Sequence, residues 1–137
     1  MPDAIDGADT LLASVPAMSE GEIDELFQAF VHAFGQRDLA VLASLWTPDI
    51  RAWHSVDCHA KDRDEYLAFI ANLPKRETRF VDPRRTYFHN GFVQQHIVEI
   101  IPPDGPVDRN YICLVMRMEN GLISRIDEYI TFGPVMP

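Results

Sequence analysis

The sequence is poor in the residues that mark many common protein roles. Only two cysteines occur in 137 residues. Cys58 and Cys113 stand far apart with no CxxC or Cys/His spacing, so neither a disulfide framework nor a structural zinc is expected. Basic residues are few, with 12 Lys and Arg against 21 Asp and Glu, a formal net charge of −9. Phosphate binding needs a basic surface, which argues against nucleic acid or anionic membrane as the main partner. No apolar run approaches the roughly 18 residues needed to cross a bilayer. The first nine residues hold Asp3, Asp6 and Asp9 and no Lys or Arg, so the cationic start of a secretory signal is missing. Glycine and proline are scattered rather than periodic, against collagenous or low-complexity character. What is present is 47% apolar residues, an ordinary fraction for one domain with its own core. The expectation is a small soluble, cytoplasmic domain. Composition gives no function.

Residues 1–19 carry small residues, acids and Pro16, and read as a mobile arm; the alternative is a strap docked through Leu11, Leu12 and Val15. A single domain, 20–137, follows. Ser19 and Glu22 have the spacing of a capping box. Beyond them Ile23, Phe27, Phe30 and Phe34 fall within roughly 60° of one another at helical spacing, one apolar stripe. Gly35 is the expected helix end. Asp38 can cap a second, shorter helix that buries Leu39, Leu42, Leu45 and Trp46 and stops at Pro48. Ile50 to Ser55 reads as a short strand. Asp62 and Glu65 form a second capping box, opening a helix with Tyr66, Phe69, Ile70 and Leu73 on one side.

Past Pro74 the period changes to two. Arg76–His89, Phe92–Ile101, Val107–Met118 and Leu122–Phe132 read as four strands separated by Asn90-Gly91, a Pro/Gly loop at 102–106 and Asn120-Gly121. Pro83 marks a bulge or edge position. The order ααβαββββ is an α+β pattern with an antiparallel meander after the helices.

Three strings sharpen this reading: Leu45-Trp46-Thr47-Pro48-Asp49-Ile50-Arg51-Ala52-Trp53-His54, Asp62 to Ile70, and Asn120 to Tyr129. With the order of elements, they make residues 20–132 resemble the nuclear-transport-factor-2-like superfamily, in its SnoaL-like and ketosteroid-isomerase-like branches. The resemblance implies a cone-shaped, curved antiparallel sheet wrapped around three N-terminal helices, with an apolar pocket at the open end. Function does not follow, because the fold hosts isomerases, cyclases, dehydratases, hydrolases and binding domains.

Glu128 is the most informative polar residue. Leu122, Ser124, Ile126, Glu128 and Ile130 share one face of the last strand, while Ile123, Arg125, Asp127 and Tyr129 share the other. A carboxylate among aliphatic neighbours is a candidate acid or base, since burial disfavours its charged form. In SnoaL-like cyclases the matching position holds the catalytic aspartate. The alternative is a sheet-edge carboxylate paired with Arg125 or Arg117. A three-residue loop at 119–121 would set Asn110, Ile112, Leu114 and Met116 opposite the Glu128 face and leave Arg117 in water.

His54 follows the apolar side of its strand with Ile50 and Ala52, and in the isomerase-like branch the matching position holds the aspartate base. An imidazole there can also move protons near neutral pH; a core-edge histidine is the plainer alternative. His96 lies on a strand apolar on both faces, and only the resemblance, through dehydratase-like members, turns it inward. Asn110 could hold a carbonyl oxygen or solvate the rim. Ile112, Leu114, Met116, Ile126, Phe30, Trp46 and Phe69 are expected to line the hollow, with core packing as the alternative for the aromatics.

Departures from the family narrow the chemistry. Phe30 and Leu114 stand where the isomerase branch has its oxyanion donors, so steroid isomerisation by that route is not expected. Asn110 and Ile112 do not supply the Arg and two Asp of the epoxide hydrolases. No metal site or cofactor is expected, and the basic stretch Lys75, Arg76, Arg79, Arg84 and Arg85 reads as a solvated strand surface. The expected role is acid–base chemistry on a hydrophobic carbonyl compound by Glu128, His54 or both. The alternatives are a dehydratase centred on His96 and a non-catalytic binding module. Tyr111, Cys113 and Val115 form an outward apolar patch, where the resemblance implies a homodimer.

Overall fold

A computed structural model describes residues 17–133; nearly all of the expected N-terminal arm lies outside them. Helix α1 spans Glu20–Gln36 and α2 spans Leu39–Ser44. Strands β1 (Trp46–His54) and β2 (His59–Lys61) precede helix α3 (Arg63–Asn72). Strands β3 (Glu77–Phe88), β4 (Gly91–Ile101), β5 (Asp108–Glu119) and β6 (Leu122–Phe132) complete the chain. The strands form one open, curved sheet in the order β2-β1-β6-β5-β4-β3. The expected α+β class is the one observed. Two details differ: the sheet is mixed, because β1 runs parallel to β6, and the short hairpin strand β2 is additional.

Both capping boxes form. Ser19 Oγ accepts from Glu22 N at 3.1 Å, and Asp62 Oδ1 accepts from Glu65 N at 2.9 Å. In each box the glutamate carboxylate accepts in return from the cap residue's N–H, so two otherwise orphaned donors are satisfied. The first helix runs past Gly35 and ends at Arg37, which takes the left-handed conformation at φ 56°. Its guanidinium donates to the carbonyls of Phe34 and Pro74, holding a conformation more usual for glycine. Trp46 is not the end of the second helix but the start of β1. The irregular pairing between Trp46 and Arg51 accommodates Pro48, which lacks an N–H for a regular ladder.

The core lies between α1, α3 and the concave face of the sheet. Ile23, Phe27, Phe30 and Ala33 are buried from α1, and Phe27 meets Phe92 edge-on at 5.1 Å. Pro83 sits in the expected bulge: pairing in β3 shifts between Val81 and Arg84, with Asp82 at φ 53°.

The β5–β6 turn corrects the three-residue loop. Glu119 pairs with Leu122, leaving a two-residue turn in which Asn120 and Gly121 have φ of 53° and 78°. This Asn-Gly turn has positive φ at both positions and matches the twist of the strands it joins. The face expected opposite Glu128 is nevertheless reached, because β6 carries one extra residue at Ser124 between the Met118–Ile123 and Arg117–Arg125 pairs. The bulge also corrects the strict alternation read along β6: Ile123 joins Ile126 in the core, at 0% and 1% exposure.

Gly91 begins β4 with no room for a side chain. A Cβ there would lie 2.5 Å from the Met116 carbonyl oxygen and against the Phe88 ring. Gly91→Ala is therefore expected to destabilise the fold by about 1–3 kcal/mol, the usual range for overpacking. Urea unfolding measures the difference.

Candidate functional site on the concave face

Strand register places the site. His54 on β1 pairs with Glu128 on β6, Glu128 with Leu114 on β5, Leu114 with Gln94 on β4, and Gln94 with Arg85 on β3. Because side chains alternate along every strand, these five side chains form one row across the concave face. The row beneath is Ala52, Ile126, Met116, Phe92 and Tyr87. It makes an apolar floor: Ala52, Met116 and Phe92 are fully buried and Ile126 is 1% exposed. The row above contains Ile130, Ile112 and His96, and above it lie Phe132, Asn110, Val98 and Phe80.

Glu128 is partly buried; its backbone carbonyl accepts from Ser55 N at 2.9 Å, but among the described residues its carboxyl has no hydrogen bond or ion pair. The two arginines that could have neutralised it are engaged elsewhere. Arg125 binds Asp127 at 2.9 Å on the opposite face, and Arg117 lies over the Phe88 ring at 5.3 Å. Removal from water without a compensating partner pushes the Glu128 carboxyl up to about 7.

His54 is 8% exposed. Its ring packs against Phe69 at 5.5 Å and Tyr66 at 5.8 Å, and its Nδ1 is buried with no hydrogen-bond partner among the described residues. Burial lowers its proton affinity, the Lys61 cation lowers it further, and Asp57 opposes both. Histidine and carboxyl are thus both biased toward their uncharged forms.

Trp46, 2% exposed, stacks on Tyr66 at 4.9 Å and supports the wall behind His54. Phe30, at 8%, belongs to the α1 core. Asn110 sits at the rim between Val98 and Phe132.

His96 points inward and is 6% exposed. Its ring stacks on Phe80 at 4.5 Å, and its Nδ1 lies 3.1 Å from Gln94 Nε2. Burial and, after it, the Arg85 cation push its proton affinity down.

Several residues of the concave face escaped sequence reasoning. Tyr66 was assigned only to the apolar side of a helix, yet burial and the nearby Glu128 carboxylate hold its hydroxyl above the ordinary phenol range. Lys61, 8% exposed, binds Asp57 at 2.6 Å and lies over the Phe69 ring at 4.7 Å. Arg85 corrects the reading of the basic stretch as a solvated surface. Its guanidinium turns inward over the rings of Phe27 and Phe92, bound to Asp24 and Gln94. Alternation of Arg85 with Tyr87 in β3 is the signal that could have found it. Among the described residues no group of three His, Cys, Asp or Glu side chains is placed to share a metal ion.

The fold defines a class: an α+β cone domain in which an open sheet curves around helices and gathers polar side chains on its inner face. The chain belongs to the SnoaL-like domain family, whose family model matches residues 27–126. No curated protein matches the sequence.

Similar solved structures include a candidate ketosteroid isomerase from Kribbella flavida DSM 17836, at 17% identity and TM-score 0.67, covering 85% of this chain and 83% of that one. An NTF2-like protein of unknown function from Burkholderia pseudomallei K96243 has 23% identity and TM-score 0.65, covering 85% and 92%. An LEH-like epoxide hydrolase from M. tuberculosis has 14% identity and TM-score 0.63, covering 81% and 84%. At these identities the likeness establishes the fold.

The raised Glu128 carboxyl has a consequence for stability. Between about 4.5 and about 7 the folded chain keeps a proton that the unfolded chain has released. Stability therefore falls as pH rises through that window, by on the order of 3 kcal/mol when the loss is complete above it. Glu128→Gln does not titrate. It is expected to be more stable than the parent above the window and nearly equal to it below, as read by urea unfolding at both ends.

Proposed function

We propose that this protein is an acid–base enzyme, needing no cofactor, that acts on a small hydrophobic carbonyl compound held against the concave face. The observation that carries this reading is Glu128: a carboxyl without an ionic partner among the described residues, poised near neutrality and beside an uncharged imidazole. A base works best when its proton affinity lies near the working pH. Glu128 then takes the proton next to the carbonyl and passes one back to carbon or oxygen. His54, on the neighbouring strand one spacing of roughly 5 Å away, is the second group able to return a proton to the same ligand. Ile112, Leu114 and Phe69 supply apolar contact above the Met116 floor, and Asn110 stands at the mouth. Cyclisation, isomerisation and dehydration share this first step.

Deuterium exchange at the α-carbon of 2-tetralone in D2O, followed by NMR, tests the reading. The rate is expected to rise with pH and level off above about 7, as the Glu128 carboxylate forms. Glu128→Gln is expected to lose about 10²- to 10⁴-fold, the usual contribution of a positioned base. Equal rates in parent and variant would leave a binding module in place of an enzyme.

The same reading includes a homodimer through the outer face of the sheet. Tyr111 and Tyr129 are 40% and 54% exposed there, and Tyr129 lies against Trp53 at 5.0 Å. A contiguous apolar patch of this kind favours self-association. Tyr129→Glu is expected to shift the dimer to monomer in light scattering at matched concentration.

A further inference from the structure

A chain of side chains runs behind His96 that nothing in the acid–base scheme uses. It begins at Asp24 on α1, passes through Arg85 on β3 and Gln94 on β4, and ends on the imidazole. Arg85 donates to Asp24 Oδ1, and it donates twice to Gln94 Oε1, from Nε at 2.8 Å and from Nη2 at 2.6 Å. A guanidinium has donors only, so the atom it meets on Gln94 is the amide oxygen. The amide nitrogen is thereby turned toward His96, 3.1 Å from Nδ1. That nitrogen is also a donor only, so the ring nitrogen it meets is the one without a proton.

Gln94 is 1% exposed, which leaves the amide little freedom to turn over. Reversal would set its NH2 group against the guanidinium and leave buried donors facing each other. The ring is held from the side as well, stacked on Phe80 at an interplanar angle of 18°. Tyr87 shares Asp24 with Arg85 and anchors the far end of the chain to α1.

We propose that Gln94 and Arg85 are positioning residues that hold His96 as the uncharged tautomer with its proton on Nε2. His96 then contributes a hydrogen bond to an oxygen of the ligand and does not act as a base. Its Nδ1, the only site that could take a proton, is blocked by the Gln94 amide. The charged groups on this side are Arg85 and, beyond it, Asp24, with Asp82 and Arg84 of β3 lining the hollow that His96 borders. Arg85, together with burial, opposes the imidazolium form.

His96 and Glu128 lie on the same face, two strands apart, about 10 Å in strand spacings. One ligand can span them, its oxygen at His96 and its acidic carbon toward Glu128. The ligand oxygen rests on the carbonyl reading above, whereas the tautomer does not.

The test is the two-bond ¹H–¹⁵N spectrum of the histidine rings of the full chain at neutral pH, with His96 assigned by subtraction in His96→Gln. The expected result is a pyrrole-type nitrogen at Nε2 and a pyridine-type nitrogen at Nδ1. A proton on Nδ1, or an imidazolium, would overturn the proposal without any substrate and whatever Glu128 does. In Gln94→Glu a carboxylate oxygen faces Nδ1. The two signals are then expected to exchange types, and the titration midpoint of His96 to rise by about 1 to 3 units. Arg85→Met frees the Gln94 amide to turn, and is expected to give a mixture of tautomers even if Gln94→Glu does not fold. An unchanged His96 tautomer in folded Gln94→Glu or Arg85→Met would equally overturn the positioning role. Loss of 2-tetralone exchange in Glu128→Gln bears on the base alone, so the two readings fail separately.

Discussion

One extra residue in the last strand sets the inside of this protein. Ser124 interrupts the pairing of β5 with β6, so Ile123 and Ile126, three apart, both reach the core. In a strand of period two they would face opposite ways, and one aliphatic side chain would be in water. The bulge also fixes the register beyond it. Glu128 stands opposite Leu114 and His54 because pairing resumes there with Arg117 against Arg125. The Ser124 hydroxyl bonds the Arg117 carbonyl at 3.2 Å and ties the irregularity to its neighbour.

That register gives the concave face its electrostatic character. Charges on the sheet are largely paired on the outer side: Glu99 holds both Arg79 and Arg109, and Asp127 holds Arg125. On the inner side two different solutions meet. Toward β3, Arg85 is matched by Asp24 and Gln94, and its charge spreads over two aromatic rings. Toward β1 and β6, the Glu128 carboxyl has no cation paired with it among the described residues, the nearby Lys61 being bound to Asp57. Such a carboxyl lowers its cost by holding its proton. The cone thus carries a satisfied polar network along one wall and an unsatisfied acid along the other.

Membership of the SnoaL-like family does not by itself name a reaction. Phe30 and Leu114 are buried and apolar, and on the reading proposed above the hydrogen-bond donor of the inner face is His96, on β4. The shared fold sets which side chains face inward, and the inner row sets their charge and hydrogen bonding.

Much of this was readable in the sequence because it depends on local physics. Ser19 with Glu22 and Asp62 with Glu65 announce helix starts through hydrogen bonds spanning three residues. Asn120-Gly121 announces a hairpin through backbone conformations that few other residues adopt. The apolar stripe of α1 and the change to a period of two after Pro74 suffice for the fold class, and alternation suffices to put Glu128 and His54 on inner faces. What the chain could not disclose depends on contacts across many residues. Sixty-one positions separate Asp24 from Arg85, and no periodicity in either segment announces the other. The strict alternation of β6 misplaced Ile123, because a bulge is chosen by what the core can absorb. The sequence by itself determined the elements and the residues able to carry charge or protons. Only the tertiary structure decided which of those charges found partners, because pairing and desolvation are properties of neighbours brought together by folding.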